Sequence, residues 1–200
     1  MQDFPKLRGQ YPFLVSNVIR ERGNDSFFIG SKLIKSISYR NLMHELLKLS
    51  RVPVSVTLAS DESFDQFYNQ MTLNFKTAVM RRIRGNYSKT LPDFYREIGA
   101  ALQFPFYFGE NADALNDCLQ DLAWMPRSAT LLMIGRGEEF LSLESEDKFK
   151  MIMEVFLRAS ENHSVQNHSP PLQVLFQYES ARAKKRLENL GFAFTEFNLS

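Results

Sequence analysis

The chain has 200 residues, 44% hydrophobic and 24% charged, with a formal net charge of +1. This balance excludes disordered and collagen-like chains and leaves room for one large or two small globular domains. Eighteen Phe make the interior, rather than the surface, the chemically distinctive part of the sequence.

At the N-terminus, "MQDFPKLRGQYPF" lacks the basic start and apolar block of a secretory leader, so none is expected. "SFFIGSKLIKSI" predicts a strand pair around Gly30, and "YRNLMHELLKLS" an amphipathic helix carrying Leu42, Leu46 and Leu49. "PVSVTLAS" alternates like a short strand, and Ser60 is placed to cap a helix running through Phe64, Phe67 and Met71. A change in charge balance then puts a domain boundary near Leu73, giving an N-terminal α/β region over 1–73 and a second domain over 74–200. The strand, Gly turn and helix order of 27–49 recurs faintly at 79–103.

"KTAVMRRIRG" predicts a strand stopped by Gly85. "LPDFYREIGAALQF" predicts a helix with Pro92 in its first turn and Phe94, Ile98, Ala101 and Leu102 along one stripe. "PFYFG" follows as a loop in which Gly109 is expected to take positive φ. Asn111 then caps a helix reaching about Trp124, with Leu115, Cys118, Leu119 and Leu122 inward. Cys118 is the sole cysteine, which excludes an internal disulfide and suits a reducing cytoplasm.

"ATLLMI" is among the longest apolar runs and falls far short of the roughly 20 residues a membrane helix needs, so it predicts a buried strand and no membrane partner is expected. "EDKFKMIMEVFLRAS" predicts a helix burying Phe149, Ile152, Met153 and Phe156, "ENHSVQNHSP" a polar loop, and "LQVLFQY" another buried strand. A helix, a stop at Gly191 and a last strand complete the chain. Apolar strands alternating with helices indicate an α/β fold whose small, mostly parallel sheet is covered on both faces.

Net charge conceals a segregation. Residues 76–96 hold six Lys or Arg against one Asp, whereas 97–126 hold five acids and no Lys or Arg. Within the second segment Asp113, Asp117 and Asp121 lie four apart on one helix face, beside Asn116 and Gln120. Like charges at that spacing are destabilising by roughly 0.2 to 0.5 kcal/mol per pair, and the helix dipole favours only Asp113, in the first turn. A solvated acidic face is one reading of such a row. The other is a docking surface for a cationic partner, drawn in by long-range attraction and then paired at close range.

The string Pro105, Tyr107, Gly109, Glu110, Asn111, Asp113, Ala114, Leu115, Asp117, Cys118, Leu119 closely resembles the barstar family of intracellular ribonuclease inhibitors. "AVMRRIRG", "DFYREIGAALQFP", "ATLLMI", "KFKMIMEVFLRA" and "LQVLFQ" are similar to that family's strands and helices, so the resemblance covers about 76–178. It implies a barstar-like sheet packed with helices, here with an additional N-terminal α/β region and an extra C-terminal helix and strand. It also implies an immunity protein or antitoxin that occludes the active site of a cognate toxin, a basic nuclease, without catalysis or cofactor. In that role Asp117 would be the central anchor, Asp113 would pair with a neighbouring Arg or Lys, and Tyr107 would pack on the partner. Gly109 and Asn111 would hold the loop, with Glu110, Asn116, Gln120 and Asp121 completing the face. Two departures point to a different cognate toxin: Asn116 stands where the family often has an aromatic, and Arg158, between Glu154 and Glu161, where the long helix can supply an acid. These three are secondary contact candidates.

Competing classes are a regulatory module for another basic partner and, lower, a hydrolase or nucleic-acid processing enzyme. Chemistry for the last is sparse. His44, His163 and His168 match no zinc spacing, Cys118 lies on a buried stripe, and no Gly-rich phosphate loop or Ser-centred elbow is present, so no catalytic or metal residue is expected. "MRRIRG" and "AKKRL" carry no base-stacking motif, so direct nucleic-acid binding is not expected.

Overall fold

The computed structural model describes residues 53–75, 78–125, 129–165 and 171–199. The strand pair around Gly30, the helix with His44, the first half of the faint repeat, and His168 lie outside them. Five strands are described: β1 (Val54–Leu58), β2 (Ala78–Arg84), β3 (Ala129–Gly135), β4 (Leu172–Tyr178) and β5 (Thr195–Asn198). They form one all-parallel sheet in the order β2-β3-β4-β1-β5. Every residue of β3 and of β4 is buried, which accounts for their unbroken apolar sequences.

Such strands need cover on both sides. On one face α1 (Asp61–Asn74) lays Phe64, Phe67 and Met71 over Met80, Leu131, Met133 and Leu175. The other face carries Val54, Val56, Ile83, Leu132, Ile134, Val174 and Phe176 beneath α2 (Leu91–Leu102), α3 (Ala112–Asp121), α4 (Glu146–Val165) and α5 (Lys185–Asn189). Helix starts follow the capping residues. The Ser60 hydroxyl accepts from the Ser63 amide at 3.2 Å, and Thr90 caps α2 just ahead of Pro92. Gly85 is required by close approach, since a Cβ there would lie 2.2 Å from the Arg136 carbonyl oxygen.

Three expectations change. β1 pairs with both β4 and β5, in the register Val56 opposite Phe176 and Glu196, so the sheet runs across the boundary expected near Leu73. The shift in charge there marks the basic edge strand β2 and not a change of core. Helix α3 stops at Asp121, short of Trp124, because Leu122 turns left-handed (φ 42°) and thereby keeps its side chain buried. Helix α4 continues to Val165 through what reads as a polar loop, because His163 in that stretch is buried against α3.

Because α1 and the later strands share one core, Phe67→Ala is expected to be destabilising by about 3 to 5 kcal/mol in a single cooperative transition. Urea unfolding followed by both far-ultraviolet dichroism and Trp124 fluorescence checks this, and separate midpoints would mark two folding units.

Candidate functional site

The segment between α2 and α3 is a turn built from aromatics. Gln103 leaves α2 in a left-handed conformation (φ 53°), and the Phe108 amide donates to the Pro105 carbonyl at 2.9 Å. Phe104 and Phe108 fold inward with ring centroids 4.7 Å apart, Phe104 meets Trp124 edge-on at 5.8 Å, and Phe108 meets Tyr95 at 6.2 Å. The Trp124 indole also donates to the Leu102 carbonyl at 3.0 Å. Between these two anchors Phe106 is fully exposed and Tyr107 is 64% exposed, their rings 5.7 Å apart.

The turn hands over to α3 through Asn111. Its side-chain oxygen accepts from the Ala114 amide at 2.9 Å, and its amide group donates back to the Gly109 carbonyl at 3.1 Å. Positive φ falls on Glu110 (48°) and not, as the sequence predicts, on Gly109. Gly109 is constrained instead by proximity, because a Cβ there would come within 3.0 Å of the Asn111 side-chain nitrogen.

Leu115, Cys118 and Leu119 bury one side of α3, leaving Asp113, Asp117 and Asp121 exposed on the other. Among the described residues none of these three, nor exposed Glu110, has an ion-pair partner. Burial first, and then Asp117 and Asp121, push the Cys118 thiol above its ordinary pKa, so it packs as a neutral group. Asn116 is half-buried, and its side-chain oxygen has no hydrogen-bond partner.

Helix α4 pins this element. His163, 5% exposed, donates from Nε2 to the Leu119 carbonyl at 2.8 Å, and Asn162 donates to the Gln120 side chain at 2.6 Å. Gln120, partly buried, is thus tied to α4, although it lies on the predicted face. Arg158 and Glu161 are exposed on α4, and the Arg158 side chain turns back to the Glu154 carbonyl at 3.3 Å. Among the described residues no ion pair joins Arg158 to an acid of α3.

Four of the five described cations of the basic segment are paired with acids within the fold, and Arg81 donates instead to the Met80 carbonyl. Arg82 pairs with Asp65, Arg96 with Asp93, and Lys89 with Glu139. Arg84 binds both carboxylate oxygens of Glu97, at 2.8 and 2.9 Å. That bond draws the Glu97 carboxyl below its ordinary pKa. Arg84 also covers the Tyr87 ring at 4.3 Å. Among the described residues the acids of α3 receive no such relief.

Phe106 is the one residue of this surface that the sequence reading passes over. Four aromatics in the five positions 104–108 cannot all be buried in a turn. Which one faces water is decided by the bond from Phe108 to Pro105, and composition alone does not contain it.

The fold and surface define an α/β protein that displays an unpaired acidic helix beside an aromatic turn. The sequence profile of the Barstar family, described as barnase inhibitor, matches residues 78–177, half of the chain, and the chain belongs to that family. No curated protein matches the sequence. Similar solved structures include Aeropyrum pernix ORC2 in ADPNP and ADP complexes (13% identity, TM-score 0.56, 80% of this chain and 46% of that one). They also include a chain of Drosophila ORC bound to DNA (15%, 0.52, 80% and 86%) and a Walker-type ATPase of Pyrococcus abyssi (11%, 0.50, 80% and 52%). At these identities the likeness is one of fold, and the chain spans about half the length of the Aeropyrum and Pyrococcus proteins.

Asn111→Ala removes the α3 cap and is expected to lower the unfolding free energy by about 1 kcal/mol and Tm by about 2 to 4 °C. Thermal melts check this, with faster amide exchange at Ala114 as the local signature.

Proposed function

We propose that the chain is a stoichiometric inhibitor that places α3 and the 106–107 tip in the active-site cleft of a basic toxin, a ribonuclease being the substrate-cleaving class that the family match favours. The observation that carries this reading is the exposed row Asp113, Asp117 and Asp121, which has no ion-pair partner among the described residues, whereas Arg82, Arg84, Arg96, Arg136 and Arg186 each have an acid. Carboxylates presented in this way stand in for RNA phosphates. Attraction at a distance raises the association rate, and desolvated charge pairs then slow release.

In the complex Asp117 meets the central cations of the cleft, Asp113 and Asp121 pair with cations on either side, and Glu110 lies at the entrance. Asn111 and Gly109 set the loop, and Tyr107 and Phe106 pack their rings on the partner, as exposed aromatics at interface centres do. Asn116 and Arg158, with Glu154 and Glu161 beside it, adjust the fit to a partner other than barnase. This is the behaviour of an immunity protein or antitoxin acting in a bacterial cytoplasm, with no catalytic step of its own. The cation Arg158 near an otherwise acidic face also suits a regulatory module for a different basic protein.

Titrating the full chain into the protein encoded by the adjoining reading frame, and into barnase, while following RNA cleavage tests the reading. One-to-one loss of activity is expected with the former, and weaker inhibition of barnase. Asp117→Ala then weakens the complex about 30-fold or more, corresponding to 2 kcal/mol or above, a range drawn in part from complexes of this family. Phe106→Ala weakens it about tenfold, and both variants keep the wild-type Tm within about 2 °C. Failure to inhibit any ribonuclease at equimolar ratio removes the proposal.

A further inference from the structure

In open parallel sheets, ligands sit beyond the carboxyl ends of the strands, where neighbouring connections leave for opposite faces. Here that place lies between β1 and β4. Helix α1 leaves β1 for the face of Phe64 and Met71, whereas α5, with Leu187, covers the other. A Walker-type site needs a glycine-rich loop between that strand and its helix, open backbone N–H groups for the phosphates, and a Lys. The connection in this chain is two residues, Ala59 and Ser60. The Ala59 amide is already bound to the Tyr178 carbonyl at 3.0 Å, Ser60 caps α1, and the helix opens with Asp61 and Glu62, which repel phosphate.

Above it the ends of three strands are joined by a hydrogen-bonded lock whose Arg136 side chain stays partly exposed. Arg136, just after β3, holds Asp61 Oδ2 through Nε at 2.6 Å and Nη2 at 2.5 Å. Gln177, fully buried in β4, accepts from the Arg136 amide at 2.7 Å and donates to the Ala59 carbonyl at 2.7 Å. The Gly137 amide donates to the Gln177 carbonyl at 2.8 Å, and a Cβ on Gly137 would strike the Tyr178 ring at 2.8 Å. Half-buried Glu138 adds another carboxyl beside Asp61 and Glu179.

We infer that Arg136, Asp61 and Gln177 seal the crevice in which this sheet architecture seats a nucleotide, so that the chain neither binds nor hydrolyses nucleoside triphosphates and its α3 surface is presented without nucleotide control. Arg136 supplies internally the positive charge that a phosphate-binding site would offer to a ligand. The inference stands or falls independently of what α3 binds.

Calorimetry, thermal melts and phosphate release with the full chain and 1 mM MgATP or MgADP test it. A nucleotide bound with a Kd near 10 μM would raise Tm by about 5 to 10 °C at that concentration, whereas a shift within about 1 °C, no saturable heat and no phosphate release are expected. Arg136→Gln and Asp61→Asn each lower Tm, and the double variant loses less than the two shifts combined, because one interaction is removed twice. Saturable one-to-one nucleotide binding, or strict additivity of the two shifts, overturns the inference.

Discussion

Burial of β3 and β4 on both faces is the constraint from which the rest follows. Their continuous apolar sequences leave no side for water, so helices must cover the sheet above and below. Among the described helices α1 alone covers one face, while the opposite face recruits α2 to α5. With Leu115, Cys118 and Leu119 committed inward, the periodicity of α3 leaves Asp113, Asp117 and Asp121 only the outward side. The acidic row is therefore fixed in place by the same packing that builds the core, and the hydrogen bonds from Asn162 and His163 hold the helix against α4.

Charge pairing separates the two halves of the segregated sequence. Arg82, Arg84, Lys89 and Arg96 each find an acid within the fold. Exposed pairs of this kind contribute about 1 kcal/mol at most, so their weight lies less in stability than in removing free positive charge from the surface. The acids of α3 repel one another at i, i+4 spacing and, apart from the helix dipole at Asp113, find no compensating charge among the described residues. A rigid helix carrying uncompensated charge is preorganised for a complementary partner, since neither the backbone nor an internal ion pair must be given up on binding.

How much of this was legible depends on whether the determinant is local. The apolar runs of β3 and β4, the Ser60 and Asn111 caps, and the inward stripe of α3 are each written within a few residues, and they emerge from the sequence directly. Strand order is not. β1 is followed by α1 and then by β2 at the far edge, and its true neighbours, β4 and β5, lie more than a hundred residues away. The extension of α4 through His163 is invisible for the same reason, because the Leu119 carbonyl that accommodates the imidazole comes from another helix. At the surface, the carboxylates followed from spacing, whereas Phe106 and the left-handed Glu110 depended on turn geometry that only the folded loop defines.

The family match and the fold likeness describe different extents of one sheet. Residues 78–177 span β2, β3 and all but the last residue of β4, with α2 to α4, which is the part bearing the acidic helix. Alone, that unit would leave β4 as an edge, a row of unpaired backbone groups on a strand with no charged residue. β1 covers that edge with Val54 and Val56, and β5 covers β1 in turn. Among the described strands the sheet ends in a four-residue strand carrying Glu196, paired with Lys184, and at the other side in β2 with Arg81, Arg82 and Arg84. Both termini thus combine charge with a reason not to accept a further strand. Since β1 and β5 lie at the end of the strand order away from β2, whose chain leads into α2 and α3, these added strands cover the edge of β4 while the acidic face of α3 stays exposed among the described residues.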